Sequence, residues 1–271
     1  MILTDDLGRT VTLSGPVRRL VSLSPAVSEN VFAIGAGALL VGVTTADDYP
    51  PQVKSLPRVG DFGRPAIERI LSLRPDLAIV EIDKADKATV DNASRRMRVP
   101  ILVQSSHRYA DVPRHLRQLG TLTGQTTKAE AAARQMESTL AQVQKQKRNG
   151  PPPTVFVEVS PSPLYGAGPG SFVDDLLKIV GAVNVLKGTT AYPVVSKEAL
   201  LVANPAHYIV AVGGDMNARG NDTALPPPLD KIAAARTGNI HRIPADLLFR
   251  PTPRLASGLM ALASALYKKP L

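Results

Sequence analysis

The chain of 271 residues is 44% apolar and 20% charged, enough for packed cores in one large domain or two of ordinary size. Its formal charge is +9, yet Lys and Arg are scattered, with only short runs such as Arg95-Arg96 and Lys145-Gln146-Lys147-Arg148; a solvated basic surface is read here rather than a nucleic-acid face. Cysteine is absent, which excludes disulfides and thiol chemistry, and no apolar run approaches the roughly 20 residues of a membrane-spanning helix.

Met1 to Asp6 lacks a basic region followed by an apolar core, so no signal peptide is read there. Leu7 to Leu13 alternates around Gly8 and reads as a small hairpin. Residues 18–23 are a strand, and Ser24-Pro25 resembles an N-cap followed by proline at the first helical position, opening a helix through Ile34 that stops at Gly35. Strand follows at 39–43, helix at 66–73, strand at 77–80, helix at 88–97 and strand at 101–103. Such alternation predicts a mostly parallel sheet with helices on its faces.

Beyond Gly124 the pattern changes. Thr127 and Glu130 have the spacing of a capping box, and Ala129, Ala132, Ala133, Met136, Leu140 and Val143 form an apolar stripe at helical period. A helix of more than 20 residues is expected, ending at Asn149-Gly150 and a proline run. Its place near the middle of the chain suits a rigid connector; a long surface helix of one domain is the alternative. Alternation then resumes, with strand at 155–159, helices at 171–180 and 196–202, strand at 208–212, helix at 229–235, strand at 240–243 and helix at 254–267. The expected organisation is an N-terminal α/β lobe over 1–124, a linking helix over 125–149 and a C-terminal α/β lobe over 150–271.

One short pattern occurs twice. Glu68-Arg69-Ile70-Leu71-Ser72-Leu73-Arg74-Pro75 leads into Leu77-Ala78-Ile79-Val80, and Glu198-Ala199-Leu200-Leu201-Val202-Ala203-Asn204-Pro205 leads into Tyr208-Ile209-Val210. Proline stops a helix and pushes its predecessor toward extended geometry, so each copy reads as helix, turn and buried strand. The copies lie 130 residues apart, which gives two similar lobes with one acidic helix start in each.

Aromatic residues are 4% of the chain and tryptophan is absent. Tyr49, Phe62, Tyr165 and Tyr192 are all flanked by Pro or Gly, which places them on loops, where α/β lobes carry ligands. Aromatic faces there suit a large, flat, partly apolar ligand; packing over loop edges is the plainer reading of any one of them. Asp246 and Arg250, four apart in a segment that Pro251 and Pro253 make a loop, could clamp amide or phosphate groups or form a local surface ion pair. The motifs G-x-S-x-G, G-x-x-x-x-G-K-[ST] and H-E-x-x-H are missing, and Gly166-Ala167-Gly168-Pro169-Gly170 reads as a turn, not a dinucleotide loop. His107, His115, His207 and His241 are dispersed, without metal-ligand spacing. No catalytic residue, catalytic cofactor or metal site is read.

The chain resembles the substrate-binding proteins of ABC importers for vitamin B12, ferric siderophores and haem. The likeness is carried by Asp6-Leu7-Gly8-Arg9-Thr10-Val11, by Arg19-Leu20-Val21-Ser22-Leu23-Ser24-Pro25, by Asp48-Tyr49-Pro50-Pro51 and by the two glutamate repeats. It implies two Rossmann-like α/β lobes with mostly parallel sheets, bridged by one long helix, and a ligand cleft between them. It also implies that Glu68 and Glu198 dock onto arginines of a membrane permease dimer. Within the family the likeness is greatest to the cobalamin binders. By that resemblance Tyr49, Phe62, Tyr165 and Tyr192 match aromatic ligand contacts, with Phe62 and Tyr192 standing where those proteins have tryptophan. Asp246 and Arg250 match contacts to the corrin side chains, and Glu81 departs from the pattern by replacing a third tryptophan.

The expectation is a non-enzymatic, monomeric capture protein for cobalamin or a related corrinoid, carried as transported ligand to an ABC permease. It would work in the periplasm or another extracytoplasmic space, with any membrane anchor on a segment outside this sequence. The stiff linking helix predicts small lobe motion on binding. A ferric siderophore or haem binder of the same class is one alternative, and a metal-processing enzyme on the same scaffold is another.

Overall fold

The computed structural model describes residues 1–146, 150–213 and 224–267. These form two α/β lobes. The first comprises Met1–Ser106, Ala110–Met136 and Pro251–Pro253; the second comprises His107–Tyr109, Glu137–Arg250 and Arg254–Leu271.

The first lobe opens with a hairpin of β1 (Ile2–Thr4) and β2 (Thr10–Thr12). The expected hairpin over Leu7 to Leu13 is thus shifted: Leu7 lies in the turn, and the first strand is Ile2–Thr4. The cause is Asp5, whose carboxylate accepts the amides of Leu7 and Arg9 at 3.1 and 2.9 Å and so folds the turn around Gly8. Next come β3 (Leu20–Ser22), α1 (Pro25–Ala33), β4 (Leu40–Gly42) and a small ribbon of β5 (Gly60–Asp61) and β6 (Arg64–Pro65). They are followed by α2 (Ile67–Leu73), β7 (Leu77–Glu81), α3 (Lys87–Met97), β8 (Ile101–Gln104) and α4 (Asp111–Thr123). The sheet runs β4-β3-β7-β8, parallel throughout. A parallel sheet is covered on both faces, which is why β3 and β8 are wholly buried and are apolar except for their last residues, Ser22 and Gln104.

Helix α4 has no counterpart in the expected elements. Its Pro113 falls in the first turn, where the missing N–H costs nothing, while Val112, Leu116, Leu119 and Leu122 bury one face. Gly124, at φ 72°, closes the helix, and α5 (Thr126–Lys145) follows at once. Gly120 is required for that junction, since a Cβ there would stand 2.4 Å from the Ala129 Cβ. The expected capping box does not form. Thr127 lies inside α5, the Ala129 amide bonds to the Gln125 carbonyl, and Glu130 is taken by Arg117 and Arg134 at 2.7 Å each. Ala129, Ala133, Met136 and Val143 of the stripe are fully buried. The expected helix end at Lys147 to Asn149 lies outside the described residues.

In the second lobe β9 (Thr154–Pro161) is the long central strand, followed by β10 (Leu164–Gly166), α6 (Phe172–Ile179), β11 (Val183–Asn184), α7 (Lys197–Ala203) and β12 (His207–Val212). Then come α8 (Ala233–Arg236), β13 (Ile240–Pro244), α9 (Asp246–Phe249) and α10 (Leu255–Tyr267). Strands β9, β12 and β13 are parallel neighbours; β11 joins β9 in parallel and β10 joins it antiparallel. The single helix expected over 229–235 is two pieces, a 3-10 turn at Leu229–Lys231 and α8, because Ile232 is extended and the Ala233 amide is captured by Asn204 Oδ1 at 2.7 Å. The expected loop at 246–250 is helix α9, with Arg250 as its cap; Pro251 ends it instead of preventing it.

The repeated motif forms the same structure twice. Ile70 in α2 and Leu200 in α7 are each 0% exposed, and burial of such a side chain contributes about 2 kcal/mol. Each helix ends in a left-handed residue, Arg74 or Asn204, directly before proline.

Candidate ligand and docking sites

In the first lobe, the loop that carries Tyr49 is braced from beneath. Asp47 is buried and accepts the amide and hydroxyl of Thr44 at 2.9 and 2.5 Å, and Arg58 donates to the Thr44 and Asp47 carbonyls at 2.7 and 3.1 Å. A cis peptide joins Tyr49 to Pro50. Phe62 occupies the turn of the β5-β6 ribbon. That ribbon is tied to the same loop by Thr45, whose amide bonds to the Gly60 carbonyl at 3.0 Å and whose hydroxyl reaches Asp61 at 2.5 Å. Gly60 has φ 108° and a Cβ there would meet Arg64 O at 2.5 Å, so the tight return of the ribbon requires glycine. Tyr49 and Phe62, at 42% and 48% exposure, therefore stand on two loops held as one piece. Both are unusually exposed for aromatic rings, which is the property a ligand platform needs.

In the second lobe, Tyr165 lies in strand β10, not in a loop as its Pro and Gly neighbours imply. Its pairing explains the difference. Tyr165 faces Ser160 of β9 on one side and bridges Val194 on the other. The bonds from Gly166 N to Pro193 O (3.1 Å) and from Val195 N to Leu164 O (2.8 Å) draw the 193–195 segment alongside β10. Tyr192 leads into that segment at 40% exposure. Its ring is 6.4 Å from that of Phe249, at an interplanar angle of 56°, a tilted contact typical of aromatic pairs. Phe249 is the last residue of α9, whose first residue, Asp246, pairs with Arg250 at 3.1 Å and with Arg254 at 3.6 Å. One connected patch thus holds Tyr192, Asp246 and Arg250, with Tyr165 on the adjoining strand. Phe249 and Arg254 join it without having been singled out; Phe249 sits beside Arg250 in the Pro-bounded segment, and that placement was the available signal.

Glu68 and Glu198 are both exposed in the first turns of α2 and α7. Ser196 caps α7 by accepting the Ala199 amide at 3.1 Å. Glu81 is turned inward: its Oε1 accepts the Ser106 amide at 2.7 Å, and its Oε2 lies 3.4 Å from His115 Nδ1. His207 and His241 stack on neighbouring strands with ring nitrogens 3.2 Å apart, while His115 belongs to the first lobe. Among the described residues no three His, Cys, Asp or Glu side chains gather to hold a metal, and no helix is long and apolar enough to cross a membrane.

Two parallel-sheet lobes with exposed aromatic loops define a protein of the substrate-binding class that serves ABC importers. Residues 20–247 match the periplasmic binding protein family, and the chain belongs to that family. It is 28% identical, over 97% of its own length and 84% of the other, to an uncharacterized ABC transporter substrate-binding lipoprotein of Bacillus subtilis. The crystal structure of the periplasmic vitamin B12 binding protein of Vibrio cholerae superposes with a TM-score of 0.82 at 25% identity, covering 93% of this chain and 97% of that one. A periplasmic heme binding protein from Pseudomonas aeruginosa does so with a TM-score of 0.76 at 31% identity, covering 94% and 95%.

Proposed function

We propose that this protein captures cobalamin, or a related corrinoid, in an extracytoplasmic space and hands it to the permease of an ABC importer. The observation that carries the reading is the second-lobe patch, where Tyr192 packs on Phe249 beside the Asp246–Arg250 pair. Such a patch offers apolar faces to a large ring system and directional donors and acceptors to its amide and phosphate periphery. Tyr165 extends it, and Tyr49 and Phe62 form an exposed aromatic platform of the first lobe that suits the same kind of ligand. Cobalamin is cargo here, not a catalytic cofactor. Glu68 and Glu198 serve the other encounter, as acidic contacts for basic side chains of the permease, one from each lobe.

Calorimetric titration of the purified chain with cyanocobalamin tests this directly. One-to-one binding at sub-micromolar Kd supports the reading, and Tyr192→Ala and Arg250→Ala should each weaken it at least tenfold. Absence of heat and of co-eluting red pigment would overturn it.

A second reading is haem capture, favoured by the 31% identity to the heme binding protein from Pseudomonas aeruginosa. Haem carries two carboxylates, which Arg250 and Arg254 could meet. Titration with haemin, followed by its Soret band, separates the two; a ferric siderophore in the same assay covers the remaining ligand class of the importer family.

A further inference from the structure

His115 lies in α4 of the first lobe, 1% exposed, and each of its ring nitrogens faces a carboxylate on a different segment. Nε2 is 2.6 Å from Asp6 Oδ2, in the hairpin turn. Nδ1 is 3.1 Å from Ser106 Oγ and 3.4 Å from Glu81 Oε2, at the end of β7. The Glu81 contact is not a hydrogen bond, since Oε2 has no hydrogen-bond partner, and it is an ion pair only when the ring is protonated. The same two carboxylates hold the backbone just beyond β8: Asp6 Oδ2 accepts the Ser105 amide at 2.8 Å and Glu81 Oε1 accepts the Ser106 amide at 2.7 Å. Ser105 Oγ also donates to the Asp83 carbonyl at 3.1 Å.

Charge decides the state of the imidazole. A proton on Nε2 satisfies Asp6. A neutral ring would accept the Ser106 hydroxyl at Nδ1 and leave the Glu81 carboxylate 3.4 Å away without a counter-charge, so two anions would share the interior with Arg114 as their cation. Arg114 bonds Asp6 at 2.7 Å and also pairs with Asp111 at 3.7 Å. A second proton on Nδ1 gives Glu81 its counter-charge, with Ser106 Oγ then the acceptor. Burial opposes the charged ring, but the hydrogen bond to Asp6 and the charges of Asp6 and Glu81 outweigh it, so the His115 pKa is raised.

We propose that Asp6, doubly protonated His115 and Glu81 form a proton-held latch that fixes the Ser105–Ser106 segment at the carboxyl edge of the first-lobe sheet and loosens when His115 loses its proton. The carboxyl ends of parallel strands are where ligands of α/β lobes bind. The latch therefore gives the protein an alkaline limit that is set inside the first lobe and independent of ligand identity.

The test uses the unliganded full chain. Nitrogen-15 NMR of the imidazole rings gives the titration of His115, and hydrogen exchange expressed as protection factors gives the hold on Ser105 and Ser106. The expected result is a His115 midpoint above the ordinary value near 6.5, with protection of both amides falling at least tenfold through the same midpoint. A His115 that is neutral throughout the folded pH range, or amides whose protection ignores its titration, would overturn the latch. His115→Gln supplies the second readout, with Ser105 and Ser106 protection low and flat across pH.

Discussion

Glu68 and Glu198 stand at the same step of one repeated motif, each the second residue of a seven-residue helix that ends in a left-handed cap before proline. Their side chains are exposed, whereas Ile70 and Leu200, two residues on, are buried. Each carboxylate lies in a first helical turn, worth about 0.5 kcal/mol to its helix and little else.

Replacing both glutamates by alanine should therefore leave ligand affinity within twofold and lower stability by no more than about 1 kcal/mol in total. Uptake into vesicles that hold the cognate permease should nonetheless be lost. Calorimetry beside a transport assay checks the pair; full transport by the double variant would remove these residues from docking, and loss of ligand binding would mean they serve the ligand.

The two left-handed caps should respond differently to glycine. Arg74, at φ 46°, bears the cost of a Cβ in the left-handed region, so Arg74→Gly should raise stability by about 0.5–1 kcal/mol. Asn204, at φ 44°, has a side chain that accepts the Ala233 amide at 2.7 Å. Asn204→Gly relieves strain but gives up that solvent-exposed hydrogen bond, a loss of about 0.5–1.5 kcal/mol, and should be neutral to destabilising. Urea midpoints at constant slope separate the two effects.

This pair also shows how far the sequence could be read. Proline seven residues after each glutamate, with an apolar run beyond, is a local signal, and helix, cap and buried strand follow from it in both lobes. Helix α4 was illegible because Pro113 reads as a breaker unless the helix is known to start at Asp111, two residues before it. Tyr165 reads as loop because its Pro and Gly neighbours are local, whereas the bridge to Val194 that makes it strand is a contact 29 residues away in the chain. The Asp246–Arg250 pair was visible as spacing, but Phe249 and Arg254 enter the patch through helix α9, which Pro251 and Pro253 disguise as loop. The bond between His115 and Asp6 spans 109 residues, and no periodicity carries such a pairing.

That bond sets a pH profile with two limbs. His115 has a folded pKa above its ordinary value, so the stability it confers is complete below about 6.5 and fades as pH rises through the folded pKa. Asp6 behaves in the opposite sense. Burial raises its pKa, but hydrogen bonds from His115, Arg114 and the Ser105 amide prevail and hold it well below the usual carboxylate range. Its stabilisation is present above about 3.9 and fades as pH falls toward the folded value. Asp6→Asn should lower stability most near neutral pH, flatten the acid limb and move the alkaline limb to lower pH. Urea midpoints from about pH 2 to about pH 9 measure all three changes.

Gly258 gives the sharpest steric prediction. It lies within α10, where alanine in place of glycine ordinarily gains about 1 kcal/mol. Here a Cβ would stand 1.8 Å from the Leu247 carbonyl oxygen and 2.8 Å from its carbonyl carbon. Those are backbone atoms of α9 and cannot rotate aside, so α9 itself has to move. Overpacking of this kind costs about 1–3 kcal/mol, which exceeds the helix gain, so Gly258→Ala should lower the melting temperature. Because α9 carries Asp246 and Phe249 and is capped by Arg250, the same displacement should weaken ligand binding several-fold. Gly15, with nothing within 4 Å of its Cβ position, is the control, and Gly15→Ala should change neither quantity. A Gly258→Ala protein that melts lower yet binds ligand unchanged would dissociate α9 from the binding patch and leave Tyr165 and Tyr192 as the second-lobe contacts.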